Sequence, residues 1–207
     1  MSIGFKLTKI KEILDTIANM KHLRYLNLSW MDITSLPESI CRLRNLQTLK
    51  LVMCQNLRLL PKDLRNMSSL RHLGIKDCDR LLQMPVGIGQ LTCLQTLSIF
   101  IAGSINGCHI KELQGLNHLR GELKIKGLEF VRSSMESKES NLMTRDKLRS
   151  LDLTCSDSHL QKENEVDVIE GLQPHPNIKR LSIEEYEGLI FPRWLDVSCL
   201  PNLDSCV

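Results

Sequence analysis

Aromatic side chains are scarce in this 207-residue sequence: four Phe, two Trp and two Tyr make up 4%, against 42% hydrophobic residues. Any interior is therefore aliphatic. No run of 18 apolar residues could span a bilayer, and the opening MSIGFKLTKIKEIL has no apolar secretory core. The eight cysteines, at 41, 54, 78, 93, 108, 155, 199 and 206, form no C-x-x-C pair, so the commonest zinc and redox spacings are missing. Free thiols in a reducing, cytoplasmic setting are expected. No G-x-x-x-x-G-K-[ST] loop is present to cradle phosphates. Cys108 and His109 are adjacent in a glycine-rich stretch, but no base and orienting group complete a nucleophile site, and His72, His118 and His175 read as surface imidazoles. These absences argue against an enzyme, a cofactor or a metal in this chain. Asn27-Leu28-Ser29 and Asn66-Met67-Ser68 match the glycosylation sequon, which is incidental without a secretory route.

Charge is also modest. The net +3 is too small to argue for nucleic acid, but residues 1–100 carry +7 and residues 101–207 carry −4. Such a division predicts a polarised surface.

What the sequence has in abundance is leucine at fixed offsets. Aligned on Leu36-Pro37, Leu60-Pro61 and Met84-Pro85, apolar residues recur at Leu36, Ile40, Leu43, Leu46, Leu49 and Leu51. They recur again at Leu60, Leu64, Met67, Leu70, Leu73 and Ile75, then at Met84, Ile88, Leu91, Leu94, Leu97 and Ile99. The 24-residue period with L-x-x-L-x-L is that of a leucine-rich repeat. The fold predicted is an α/β solenoid: a horseshoe with a parallel β-sheet on its concave face and irregular or short helical segments on its convex face. Each repeat packs only on its neighbours, so the whole of 1–207 reads as one array.

In chain order, 1–22 reads as the end of a truncated repeat, with Leu14, Ile17, Met20 and Leu23 in register with the later leucines. Residues 23–100 hold the regular repeats. The positions three after the last strand leucine, Met31, Cys54 and Cys78, are expected to turn the chain off the strand. Cys54 and Cys78 stack one repeat apart, as reduced core thiols or, alternatively, a disulfide. Inserts follow at 101–118, 127–147 and 155–177. The first predicts a short helix or turn at Ile110, Leu113 and Leu116, the second an exposed polar loop with one helical turn over 132–147, and the third an N-cap at Asn164. One extra residue in LRGELKI predicts a bulge. Leu203 begins a further unit at 203–207, so a piece of a longer protein is expected.

HLRYLNLSWMDITSLPESICRLRNLQTLKLVMCQNLRLLP, MPVGIGQLTCLQTLSIF with LNHLRGELKIKGLEFV, and VIEGLQPHPNIKRLSIEEYEGLIFPRWL together resemble one family. They are similar to the repeat domain of plant nucleotide-binding, leucine-rich-repeat disease-resistance proteins of the coiled-coil subgroup. The resemblance covers nearly the whole chain. It implies a non-enzymatic recognition and autoinhibitory scaffold of a cytoplasmic immune receptor, with the nucleotide-binding domain upstream and absent here. Implied partners are a pathogen effector or host guarded protein and that nucleotide-binding domain. No nucleic acid and no membrane span are expected. The alternatives are the repeat region of a cell-surface receptor or the substrate arm of a ubiquitin ligase.

Period-2 alternation places three outward columns on the concave face. One is Tyr25, Thr48, His72, Thr96, Glu122, Ser150 and Arg180; the next is Asn27, Lys50, Gly74, Ser98, Lys124, Asp152 and Ser182; the last is Ser29, Val52, Lys76, Phe100, Lys126, Thr154 and Glu184. Trp30, Met53 and Ile101 flank them. Candidate protein-binding residues are Tyr25, Asn27, Trp30, Thr48, Lys50, Val52, Met53, His72, Lys76, Phe100, Lys124, Lys126 and Arg180. Within this set Trp30, Met53 and Phe100, with Ile101, predict an exposed apolar patch. The lysines at 50, 76, 124 and 126 predict a basic stripe for an acidic partner.

Overall fold

A computed structural model describes residues 3–103, 107–155, 165–188 and 190–206. Nine short strands run parallel: β1 Tyr25–Asn27, β2 Thr48–Lys50, β3 His72–Gly74, β4 Thr96–Leu97, β5 Ile99–Ile101, β6 Gly121–Lys126, β7 Leu148–Thr154, β8 Arg180–Glu184 and β9 Ser205–Cys206. They hydrogen-bond in chain order as β1-β2-β3-β4 and β5-β6-β7-β8-β9. Helix α1, Ile3–Ile17, precedes them, and α2 Ser134–Lys138, α3 Glu165–Gly171 and a series of 3₁₀ turns stand between them. This is a leucine-rich-repeat solenoid.

The leucine positions account for the core. Leu43, Leu46, Leu49 and Leu51, and their equivalents one repeat on, Met67, Leu70, Leu73 and Ile75, are fully buried. Leu49 pairs with Leu26 and Leu73, so one inward residue per strand stacks on the next. Each buried leucine or isoleucine contributes roughly 1.5–3 kcal/mol.

On the convex side Pro37 and Pro61 start the 3₁₀ turns Glu38–Arg42 and Lys62–Asn66. The first amides of such a turn lack internal partners, and a carboxylate from the neighbouring repeat supplies them. Glu38 accepts from the Lys62 and Asp63 amides at 2.9 and 3.2 Å; Glu112 accepts from Gly87 and Gly89 at 2.8 and 2.9 Å. A side-chain relay with the repeat's own period joins three turns: Arg80 donates to Asn56 at 2.8 Å, and Asn56 donates to Asp32 at 2.7 Å.

The thiols expected in the core are there. Cys54 and Cys78 donate to the carbonyls of Leu28 and Leu51 at 3.1 and 3.0 Å, using an S–H to satisfy buried backbone as the turn leaves the strand. All eight cysteines are free thiols. Burial, with Glu38 and Asp63 adding to it, pushes the Cys41 thiol up to about 12. Burial raises Cys155 to about 12 as well, and drives Cys108 up further still.

The first insert behaves as predicted, with a 3₁₀ turn over Ile110–Gly115. The bulge is present too: the β6–β7 register shifts between Gly121 and Glu122, where Gly121 takes a φ of +81°. Three expectations are corrected. Residues 132–147 hold the expected helical turn, as α2, but are not exposed throughout: Ser137, Ser140, Leu142 and Arg145 are buried. The Arg145 guanidinium reaches the carbonyls of Leu113 and Gln114 at 3.0 and 3.1 Å and the Asn117 amide oxygen at 2.9 Å, tying the insert to the preceding repeat. Met31 and Met20 are exposed rather than core residues. Met31, unlike Cys54 and Cys78 at the same repeat position, has no S–H to bond a buried carbonyl and follows the first strand of its sheet, with no earlier strand among the described residues to donate to, and at Met20 helix α1 takes the place of the usual 3₁₀ turn. Asn164, expected as a cap, lies outside the described residues.

Candidate protein-recognition surface

Two of the three outward columns are seen directly in the sheet register. Tyr25, Thr48, His72 and Thr96 pair in sequence, as do Glu122, Ser150 and Arg180. Asn27, Lys50 and Gly74 form the second row, and Lys124, Asp152 and Ser182 continue it. Thr154 and Glu184 pair in the third row, which Ser29, Val52 and Lys76 approach from the first repeats.

The rows break at Ser98, and here the sequence reading fails. Ser98 leaves the strand, and its hydroxyl accepts from the Ile75 amide at 3.1 Å. Pairing resumes one residue out of phase: Ile99 lies beside Lys124, Phe100 beside Ile125 and Ile101 beside Lys126. Phe100 therefore points inward and is 0% exposed. It is not a surface residue, and Ile101, expected beside it in an exposed patch, is buried as well. The physical reason is the odd spacing from Leu97 to Phe100. With Ser98 bent out of the ladder, Ile99, Phe100 and Ile101 are all buried, which strict period-2 counting cannot show.

The remaining apolar candidates stay at the surface. Trp30 is 75% exposed and Tyr25 52% exposed. Val52 and Met53 are half-buried. Trp30 and Met53 hold φ values of +67° and +60°, at the repeat position that Asp77, Gly127 and Glu185 also occupy in left-handed conformation. The side chain is thereby thrown off the end of the strand. A left-handed backbone costs a bulky residue roughly 1–2 kcal/mol more than glycine. Trp30 bears that cost without burying its ring.

The cations divide into two groups. Lys50 is exposed, its ammonium 5.8 Å above the Tyr25 ring. It makes no ion pair among the described residues, and neither does Lys76 or Lys126. Lys124 and Arg180, in contrast, are engaged within the sheet. Lys124 bonds Glu184 at 2.6 Å and Arg180 bonds Glu122, both pairs crossing over β7. Between them burial raises the Asp152 carboxyl above its ordinary range, with Lys124 pulling the other way. These two cations are neutralised before any partner arrives.

His72 bonds the Thr96 hydroxyl through Nδ1 at 3.0 Å. Burial lowers its proton affinity, and Arg120, Arg71 and Lys50 lower it further. Those arginines were not among the sequence candidates. Arg24, Arg71, Arg120 and Arg149 each follow the first leucine of a strand motif, in four Leu-Arg pairs. That recurring dipeptide was the available signal.

Among the described residues no group of three or more His, Cys, Asp or Glu is placed to hold a metal ion. No helix there is long and apolar enough to cross a membrane.

Residues 7–206 match the leucine-rich repeat region family. The disease resistance protein RGA2 of Solanum bulbocastanum is 41% identical over 99% of this chain, and the disease resistance RPP13-like protein 4 of Arabidopsis thaliana is 35% identical over 94%. This chain spans 24% and 22% of those two relatives, about a quarter of their length. The matched pattern, the parallel ladder and these similarities agree: the chain belongs to the leucine-rich-repeat family, as a repeat region homologous to that of plant disease-resistance proteins.

Proposed function

We propose that this chain is a non-enzymatic recognition and autoinhibitory scaffold of a cytoplasmic plant immune receptor. Its first partner is a protein on the concave face, a pathogen effector or a host protein under guard. Its second is the nucleotide-binding domain of the parent receptor, which supplies the only nucleotide site. The observation that carries this reading is Trp30, an aromatic ring kept in solvent on a left-handed backbone past the end of β1, the strand whose Tyr25 ring lies under the unpaired Lys50. Trp, Tyr and cationic anchors dominate protein-binding hot spots, and nothing in the packing of the repeat requires that ring.

The test is co-expression in leaf cells of this chain and the parent's nucleotide-binding part as two tagged polypeptides. Wild type is expected to co-precipitate, the double variant Trp30→Ala/Lys50→Glu is not, and a receptor carrying the double change should trigger cell death without pathogen. Unchanged co-precipitation by a receptor that stays silent would remove this face from the account.

A further inference from the structure

Just before the strands of the first half, five residues form one row. The Gln47 amide donates to the Arg24 carbonyl at 2.8 Å, Arg71 to Gln47 at 2.8 Å, Gln95 to Arg71 at 2.7 Å and Arg120 to Gln95 at 2.9 Å. The row reads Arg, Gln, Arg, Gln, Arg. Neighbouring strands stand roughly 4.8 Å apart, so the arginines recur about every 10 Å. A segment extended in the polyproline II conformation has three residues per turn and rises roughly 3.1 Å per residue, so its every third residue lies on one face and also recurs about every 9–10 Å.

We propose that this row, with Lys50 and His72 above it, docks an extended acidic polypeptide segment that presents a carboxylate at every third residue. The inference rests on the reading of the concave face as a protein-binding surface, and names the chemistry of what binds.

Three observations support it. First, the cations are free. Arg24, Lys50 and Arg71 make no ion pair among the described residues, and the Arg120 guanidinium is held only by the neutral Gln95 oxygen, at 2.6 Å. In the second half Lys124, Arg180 and Lys179 each have a carboxylate within the fold, on Glu184, Glu122 and Asp204. The solenoid thus leaves the whole Arg-Gln row open over the first set of strands, while over the second it closes Lys124, Arg180 and Lys179 and leaves Lys126 without an ion pair among the described residues. Second, the guanidinium fork matches a carboxylate in two parallel hydrogen bonds, and a side chain already oriented by a glutamine loses less freedom on binding. Third, the row itself offers unpaired bases no stacking platform: Arg24, Gln47, Arg71, Gln95 and Arg120 include no aromatic, and Lys50 covers the nearby Tyr25 ring, whereas single-stranded nucleic acid binds through a series of open aromatic faces.

His72 makes the docking sensitive to pH. The groups that face it are Lys50 on β2, its neighbour Arg71, Thr96 on β4 and Arg120 ahead of β6. Burial and the three cations together lower the proton affinity of the imidazole. A carboxylate seated among them offsets their field and raises its proton affinity, so by linkage the bound state takes up a proton and tightens as pH falls.

Fluorescence anisotropy with the intact chain at low salt tests this. The probes are a labelled 13-residue peptide with Glu at every third position, an isomer of the same composition with its Glu residues contiguous, and an oligothymidylate of similar charge. The spaced peptide is expected to bind at least tenfold more tightly than the isomer. Arg71→Glu should weaken it at least tenfold, while Lys62→Glu on the convex side leaves it unchanged. Lowering the pH from 8 to 6 should tighten binding severalfold in wild type and not in His72→Gln. Equal affinity for the two isomers, no binding of either, or tighter binding of oligothymidylate overturns the inference. If the peptides are ignored while Trp30→Ala/Lys50→Glu still abolishes co-precipitation, the acidic segment falls and protein recognition stands. Peptide binding with co-precipitation unmoved by that pair does the reverse.

Discussion

Lys124 and Glu184 lie on β6 and β8, and the 2.6 Å contact between Nζ and Oε2 passes over the strand that separates them. The hydrogen bond from Lys124 holds the Glu184 carboxyl below its ordinary range, and the Thr154 hydroxyl at 3.3 Å adds to it. With the Glu184 side chain 46% exposed, solvent screening limits the pair to under about 1 kcal/mol. Its importance is that it removes a cation from the open face.

Asp152 and Glu184 respond to acid in opposite senses. The lowered Glu184 contributes stability above its unfolded value and loses it as pH falls through the folded one. The raised Asp152 behaves inversely: stability is greatest below its unfolded value and declines as pH rises through the folded one. Asp152→Asn is therefore expected to stabilise the chain at pH 7, with the difference shrinking toward pH 4 in urea titrations. Lys124→Met should return the Glu184 carboxyl toward its ordinary range in a ¹³C NMR titration.

On the convex side, Gly115 presses against the neighbouring turn. A Cβ there would stand 2.1 Å from the Gly89 carbonyl oxygen, a backbone atom that cannot step aside. Gly115→Ala should cost about 1–3 kcal/mol, as overpacking does, and lower the thermal midpoint by several degrees. Gly74→Ala is the control: its nearest neighbour would be at 3.5 Å, an ordinary contact.

Trp30 sets stability against recognition. Trp30→Gly relieves a left-handed backbone at φ +67° and gives up a ring that is mostly in water. The variant should be as stable as wild type or up to about 1 kcal/mol more stable, yet fail to co-precipitate. A fall in stability in chemical denaturation would show that the ring packs.

Phe100 distinguishes the two readings of the strand after Ser98. As a surface residue it could be cut back at little cost. As the fully buried ring seen here, Phe100→Ala should lose about 3–5 kcal/mol. Urea unfolding measures the difference directly.

Much of this was legible because each repeat solves its packing locally. The inward positions of Leu49, Leu73 and Leu97 follow from alternation within one strand, and so do the outward Tyr25, Lys50 and His72. The bulge at Gly121 could be counted from one surplus residue. The buried insert at 132–147 was not legible, because its polar composition hides an arginine whose acceptors are carbonyls about thirty residues upstream.

The sequence by itself determined the aliphatic stack, its 24-residue period and which face of each strand meets the core, because hydrophobic burial and the strand's twofold alternation act within a single repeat. Only the tertiary structure decided that Phe100 turns inward and which cations remain free. Those outcomes depend on the register between strands, and a bond such as Lys124 to Glu184 joins residues 60 positions apart across two inserts of irregular length.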